Sequence, residues 1–134
     1  MRMPVILSVA ALALGAPSAA QTGRNADAAT DAKLAKALAG LTRGETRGCL
    51  PLTGRQQYRT EGYGRTILYR VGRNQVYRTE TSGGCERIAR GDALIVRQPG
   101  AQLCAGDIAT TADLVSRFPT GSCSFGPFTE YRRR

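Results

Sequence analysis

Four cysteines, Cys49, Cys85, Cys104 and Cys123, and the absence of any histidine define the chemistry open to this chain. A thiol nucleophile needs a partner base, usually imidazole. Zinc sites and dithiol redox pairs favour close C-x-x-C spacing, whereas the spacings here are 36, 19 and 19 residues. The cysteines therefore read as two structural disulfides of a small exported domain. Spacing leaves all three pairings open; a meander of neighbouring strands favours Cys49–Cys85 with Cys104–Cys123. No metal site and no cofactor is implied.

The remaining nucleophiles and acids are equally poor. Ser82, Ser116, Ser122 and Ser124 have no histidine to activate them, and the two lysines, Lys33 and Lys36, fall in an expected helix remote from them. A carboxylate dyad needs two acids held close with their pKa values split. Only Asp92 and Asp107 share a local context, Gly-Asp followed by an apolar residue, and that context is ordinary turn chemistry. The chain carries no phosphate-binding glycine loop. Catalysis is therefore not the expectation.

Four Tyr-Arg dipeptides suggest binding chemistry instead: Tyr58-Arg59, Tyr69-Arg70, Tyr77-Arg78 and Tyr131-Arg132. Stacked aromatics mixed with arginines are a platform for single-stranded nucleic acid. In a strand, however, neighbouring residues face opposite ways, which sends tyrosine inward and arginine outward. Sequence-specific nucleic-acid recognition is not expected. Tyr77 is the ambiguous member. A three-residue turn at Gly72-Arg73-Asn74, with Asn74 left-handed, sets Tyr77 opposite Tyr69 and buries both. A two-residue turn rotates Tyr77 to the other face. Tyr77, Arg70, Arg78 and Arg97 are the candidates for a binding surface.

Charge gives that surface a direction. Lysine and arginine number 19 against 10 acids, a formal charge of +9, and all but the two lysines are arginine. Guanidinium forks suit phosphates and carboxylates. The arginines are spread along the chain rather than clustered, which argues for compositional bias over a dedicated grip.

The elements that must position these residues begin with an export signal. Arg2 precedes the apolar run Val5 to Leu14, and Ser18-Ala19-Ala20 supplies the small residues before a cleavage site after Ala20. About ten apolar residues fall short of the roughly 20 that span a bilayer, so no transmembrane segment is expected. No cysteine lies at the cleavage site to accept a lipid. Residues 21–48 read as a leader helix and linker: a helix over Asn25 to Ala39 with Leu34, Ala37, Leu38 and Leu41 on one stripe, Gly40 left-handed at its end, and a linker from Thr42 to Gly48. A helix this short must dock on the main domain or fray.

Residues 49–131 read as the disulfide-bridged β domain. The expected strands are Arg65 to Val71, Gln75 to Thr81, Ala93 to Arg97 (closed by Pro99-Gly100), Leu103-Cys104, Ile108 to Ala112 and Cys123 to Tyr131. Pro127 places part of the last strand on an edge or at a bulge. The core drawn from these runs is thin: Ile67, Leu68, Val71, Val76, Leu94, Ile95, Val96 and Ile108. Residues 132–134 form a basic tail. The fold class is mainly β, a small antiparallel barrel-like or sandwich domain with one short N-terminal helix.

The order Cys49-Leu50-Pro51-Leu52, Arg65 to Val71, Gly84-Cys85, Gln102 to Ile108 and Gly121 to Tyr131 resembles small exported proteins of Gram-negative bacteria classed as domains of unknown function. The resemblance implies a periplasmic β-rich fold with a short N-terminal helix and carries no catalytic residue, ligand or partner. The sequence therefore predicts a non-enzymatic protein of the periplasm or cell exterior, with a basic surface for an anionic envelope component or an acidic protein. The alternative is an inhibitor or accessory subunit of a secreted enzyme, presenting the loop Ser82 to Arg90.

Overall fold

The computed structural model describes residues 19–52, 58–97 and 100–134. Residues 1–18 of the expected signal, and Pro99 in the expected turn, lie outside the described residues. Helix α1 (Ala19–Leu38) is followed by β1 (Thr42–Arg47), β2 (Cys49–Pro51), β3 (Tyr58–Tyr63), β4 (Thr66–Val71) and β5 (Gln75–Gly83). A 3₁₀ turn (Glu86–Arg90) leads into β6 (Ala93–Val96), β7 (Gln102–Cys104), β8 (Ile108–Ala112) and the 14-residue β9 (Pro119–Arg132).

Every ladder is antiparallel. Seven strands run in the order β3-β4-β5-β9-β8-β6, with β1 added on β9, and the sheet curls into a half-barrel. Strand β9 pairs with β5 from Cys123 to Arg132. Its other edge serves β8 as far as Ser124 and β1 from Phe128 onward. Between those partners the β5–β9 register shifts, so that Gly126 and Pro127 fall opposite the stretch from Thr79 to Thr81. Pro127 therefore sits where no neighbour asks for its missing N–H, the bulge that its presence in the strand anticipates.

Two-residue periodicity distributes the apolar side chains over both faces of the sheet. The inner face carries Ile67, Tyr69, Tyr77, Ala109, Cys123, Phe125 and Phe128, closed by Leu50 and Leu103 from the small β2–β7 ribbon. On the outer face Leu68 and Val76 are covered by Leu34, with Ala37, Leu38 and Leu41 packed around them. The helix thus docks with the stripe its spacing prescribes, and Gly40 ends it at φ 75°. It starts earlier than expected and runs through Gln21 to Arg24. Ile95 and Ile108, expected in the core, are exposed, and the weight they were assigned passes to Phe125, Phe128, Leu50 and Leu103.

Three further expectations are corrected. The stretch Thr42 to Gly48 is not a linker, because β1 completes the free edge of β9 although none of its side chains is buried. The β4–β5 turn has three residues and sets Tyr69 opposite Tyr77, but Gly72 (φ 58°), not Asn74, is left-handed. The disulfides join Cys49 to Cys104 and Cys85 to Cys123, not Cys49 to Cys85 and Cys104 to Cys123. The physical reason is strand pairing: β2 leaves the main sheet to face β7, which puts Cys49 directly opposite Cys104 with Cα atoms 4.0 Å apart. Likewise β5 runs beside β9, which delivers Cys85 to Cys123. Close backbone approach seals that second junction, since a Cβ on Gly121 would lie 1.7 Å from the carbonyl oxygen of Gly84.

Two outcomes follow for stability. Non-reducing peptide mapping will recover the 49–104 and 85–123 linkages, and replacing either pair by serine will cost about 4 kcal/mol in urea denaturation, the loop-closure value for separations of 55 and 38 residues. Tyr69 packs on three aromatic rings (Tyr58, Phe125 and Phe128), and its buried hydroxyl has no hydrogen-bond partner among the described residues. Tyr69→Phe will therefore leave the melting temperature unchanged or raise it, by up to about 1 kcal/mol of stability.

Candidate basic binding surface

The two aspartates of the expected dyad never meet. Asp92 precedes β6 and Asp107 precedes β8, and because these strands are antiparallel the residues stand at opposite ends of the ladder, at least about 10 Å apart. Asp107 accepts the N–H of Cys104 at 2.7 Å, a bond within its own turn. Asp92 is bound elsewhere than in its turn: it accepts Thr120 Oγ1–H at 2.5 Å and Arg87 Nε–H at 3.0 Å. Its side chain is only 6% exposed. The Thr120 hydroxyl, then the Arg87 guanidinium, hold its carboxyl below the usual range. The acid is a tether between the 3₁₀ turn and β9. Among the described residues no three histidine, cysteine, aspartate or glutamate side chains gather into a group able to hold a metal.

The arginines behave differently from the acids. Although scattered in sequence, several converge at the end of the sheet where β9 finishes. A cleft of about 550 Å³ is lined by Arg59 of β3, Arg70 of β4, Gly72 and Arg73 of the β4–β5 turn, and Arg133 beyond β9. The Arg133 N–H donates to the Asn74 carbonyl at 2.8 Å, which holds the C-terminal segment against the turn. Arg70 also lines an adjoining hollow with Lys33, Lys36 and Tyr63. Six cations from the helix, two strands, a turn and the C-terminal segment thus share one surface.

Glu61 is the carboxylate set among them. It takes two hydrogen bonds from Arg70, at 3.2 and 3.4 Å, and lies 3.7 Å from Arg59 Nε. Arg70 Nη2 also reaches the Ala37 carbonyl at 3.4 Å, in the last turn of α1. Arg70 is therefore a clamp between helix and sheet before it is anything else. Arg73 and Arg133 have no carboxylate within 4.0 Å among the described residues. Acids gather in a separate hollow, lined by Asp27, Asp31, Glu80 and Glu86 together with Arg65. That segregation leaves the Arg73 side strongly positive.

The other candidates disperse. Tyr77 is 7% exposed on the inner face, where its hydroxyl accepts from Gln75 Nε2 at 2.7 Å and Arg47 lies 5.8 Å from its ring centre. It is a core residue. Arg78 is held by Glu80 at 2.6 Å in a shallow outer cleft with Arg43. Arg97 belongs to a different corner, beside Ile95 and Arg117. Of the four sequence candidates only Arg70 lies on the basic surface. The segment Ser82 to Arg90 is fastened down: Ser82 and Ser124 hydroxyls lie 2.9 Å apart, Ile88 packs on the core, and Gly62 leaves room for Ile88 and Ala89.

The sequence allows the Arg132-Arg133-Arg134 tail a weak contact with a polyanion, but it does not join Arg133 to Arg59 and Arg73, which are 14 and 60 residues apart in succession. Only the Gly72 turn and the return of β9 bring them together. Among the described residues no helix is long and apolar enough to cross a membrane. No family model, curated protein or solved structure matches the chain.

The Asp92 tether carries a pH signature. With its folded pKa below the unfolded one, it stabilises the fold above the unfolded value of about 3.9, and that contribution is lost as pH falls through the lower folded value. Thermal melts from pH 6 down to about pH 2 will show an acid limb that is shallower in Asp92→Asn than in the parent.

Proposed function

We propose that this chain is an exported, non-enzymatic envelope protein that holds a phosphate- or carboxylate-bearing polyanion on the surface formed by Arg59, Arg70, Arg73 and Arg133 with Lys33 and Lys36. The observation that carries the reading is the convergence of Arg59, Arg70, Arg73 and Arg133 on one cleft, with Lys33 and Lys36 beside Arg70 in the adjoining hollow, while Glu61 approaches only Arg59 and Arg70 among the described residues. Uncompensated charge on a structured surface is costly to assemble and has a use when a counter-charge arrives. Guanidinium groups grip such oxygens through paired hydrogen bonds.

Two features support the reading from outside the surface. Both disulfides cross-link elements far apart in sequence, as expected of a chain that folds in an oxidising compartment. The clefts are open, and the described residues that line them are mainly arginine and lysine, side chains that hold anions. The surface is suited to docking rather than turnover.

Immobilised lipopolysaccharide and heparin test this with a salt titration. Binding will persist near 0.15 M salt, where the screening length is about 8 Å, and will weaken with a log–log slope that reports the phosphates engaged. Arg73→Glu will cut affinity by about tenfold, the scale of one or two lost charge-assisted contacts. Arg90→Glu, the same change of charge on the 3₁₀ turn, will alter it far less. Equal losses in both variants, or binding that vanishes at physiological salt, would show that net charge alone accounts for retention.

A further inference from the structure

A second surface lies at the other end of β9, built on different chemistry. Among the described residues the large apolar side chains left exposed are Ile95, Ile108, Leu114, Val115 and Phe118. All five come from β6, β8 and the connection between β8 and β9. Val115 is 93% exposed and Phe118 72%. Scattered exposed apolar residues need no account, but a set confined to one corner does.

The connection is rigidly braced. Asp113 Oδ1 accepts the N–H of Val115 at 3.0 Å, the N–H of Ser116 at 2.7 Å and the Ser116 hydroxyl at 2.9 Å. The Asp113 N–H donates to the Phe118 carbonyl, and the Arg117 N–H donates to the Asp113 carbonyl. Arg117 itself is left-handed at φ 61°, a conformation non-glycine residues rarely adopt. The polar groups of the loop are thus spent inward, while Leu114, Val115 and Phe118 are held out in water. A loop serving only as a link would have no use for apolar residues there.

Charge beside the loop indicates what covers it. A groove of about 480 Å³ runs from the loop along the outer face of β6 and β8, past Ile95, Ile108 and Thr110, with Arg97 and Arg117 on it. Neither arginine has a carboxylate within 4.0 Å among the described residues. Asp107 is the acid on the groove, and one of its oxygens is bound to the Cys104 N–H. A second copy of the chain would gather four guanidiniums into one contact against two Asp107 carboxylates, because a two-fold contact presents the same patch on both sides. An apolar tip flanked by unpaired guanidiniums matches the layering of a lipid interface instead, acyl chains beneath phosphates.

We infer that this corner docks on an anionic phospholipid bilayer, with Leu114, Val115 and Phe118 entering the interface and Arg97 and Arg117 meeting lipid phosphates. The surface stands some 40 Å along an extended β9 from Arg133, so it is independent of the polyanion surface. The two ends together make a protein able to join a membrane to an anionic partner.

The chain has no tryptophan, so Val115→Trp supplies a sole reporter at the tip. With mixed phosphatidylglycerol–phosphatidylcholine vesicles its emission will shift to the blue and be quenched by brominated acyl chains. In co-sedimentation of the unlabelled chain, Val115→Asp and Phe118→Asp will each lower vesicle binding by about tenfold, with unchanged melting temperature because both sites are exposed. The double variant Arg73→Glu/Arg133→Glu will keep the blue shift of the reporter, even if it abolishes polyanion binding. Three results would overturn the inference: emission unmoved by vesicles, co-sedimentation indifferent to Val115→Asp, or a parent dimer in sedimentation that Val115→Asp splits.

Discussion

Backbone pairing along β9 is the constraint on which the rest of this protein depends. One strand of 14 residues binds β5 along one edge and, along the other, β8 and then β1. It receives one end of the Cys85–Cys123 bridge, supplies Phe125 and Phe128 to the inner core, and sets Tyr131 near the docked helix. The handover from β8 to β1 works because Gly126 and Pro127 bulge out of register there. A side chain on Gly126 would come within 2.8 Å of the Glu80 carbonyl oxygen, and proline has no N–H to leave unsatisfied. Thr79 then closes the bulge by donating its hydroxyl to the Gly126 carbonyl at 2.9 Å.

The same strand separates the two surfaces. Its C-terminal end, with the β4–β5 turn, gathers Arg59, Arg70, Arg73 and Arg133 on one cleft. Its N-terminal end carries the braced apolar loop and Arg117. Charge that looks uniform along the chain is polarised in space, because antiparallel pairing brings residues far apart in sequence to a common edge. The helix adds Lys33 and Lys36 to the basic end, since the stripe that buries Leu34 leaves both lysines exposed beside Arg70.

What could be read from the sequence was local. The stripe of Leu34, Ala37 and Leu38, the alternation from Ile67 to Val71, the extent of β8 and the irregularity at Pro127 all express short-range periodicity or backbone chemistry. What could not be read was set by pairing at a distance. Nothing in Thr-Arg-Gly-Glu-Thr-Arg announces β1, which forms because β9 offers it unpaired carbonyls and N–H groups and is secured by contacts such as Thr46 with Thr129 at 2.9 Å. The disulfide pairing depended on β2 abandoning the main sheet, a choice no spacing encodes. The basic surface was illegible for the same reason: Arg70 was a binding candidate and Arg133 part of a basic tail, but nothing local joined the two. The exposed corner was hidden differently: Ile95 and Ile108 have the hydrophobicity of core residues, and only the lack of cover from the described residues over the outer face of β6 and β8 reveals them.

Native-state hydrogen exchange along β9 tests the central claim most directly, because it measures whether one strand joins the two ends rigidly. Amides from Thr120 to Ser124 and from Phe128 to Tyr131 will share the slowest exchange class and open together with the global unfolding free energy. If the two halves open with clearly different free energies, β9 is two strands rather than one, and the fixed separation of the basic and apolar surfaces is lost.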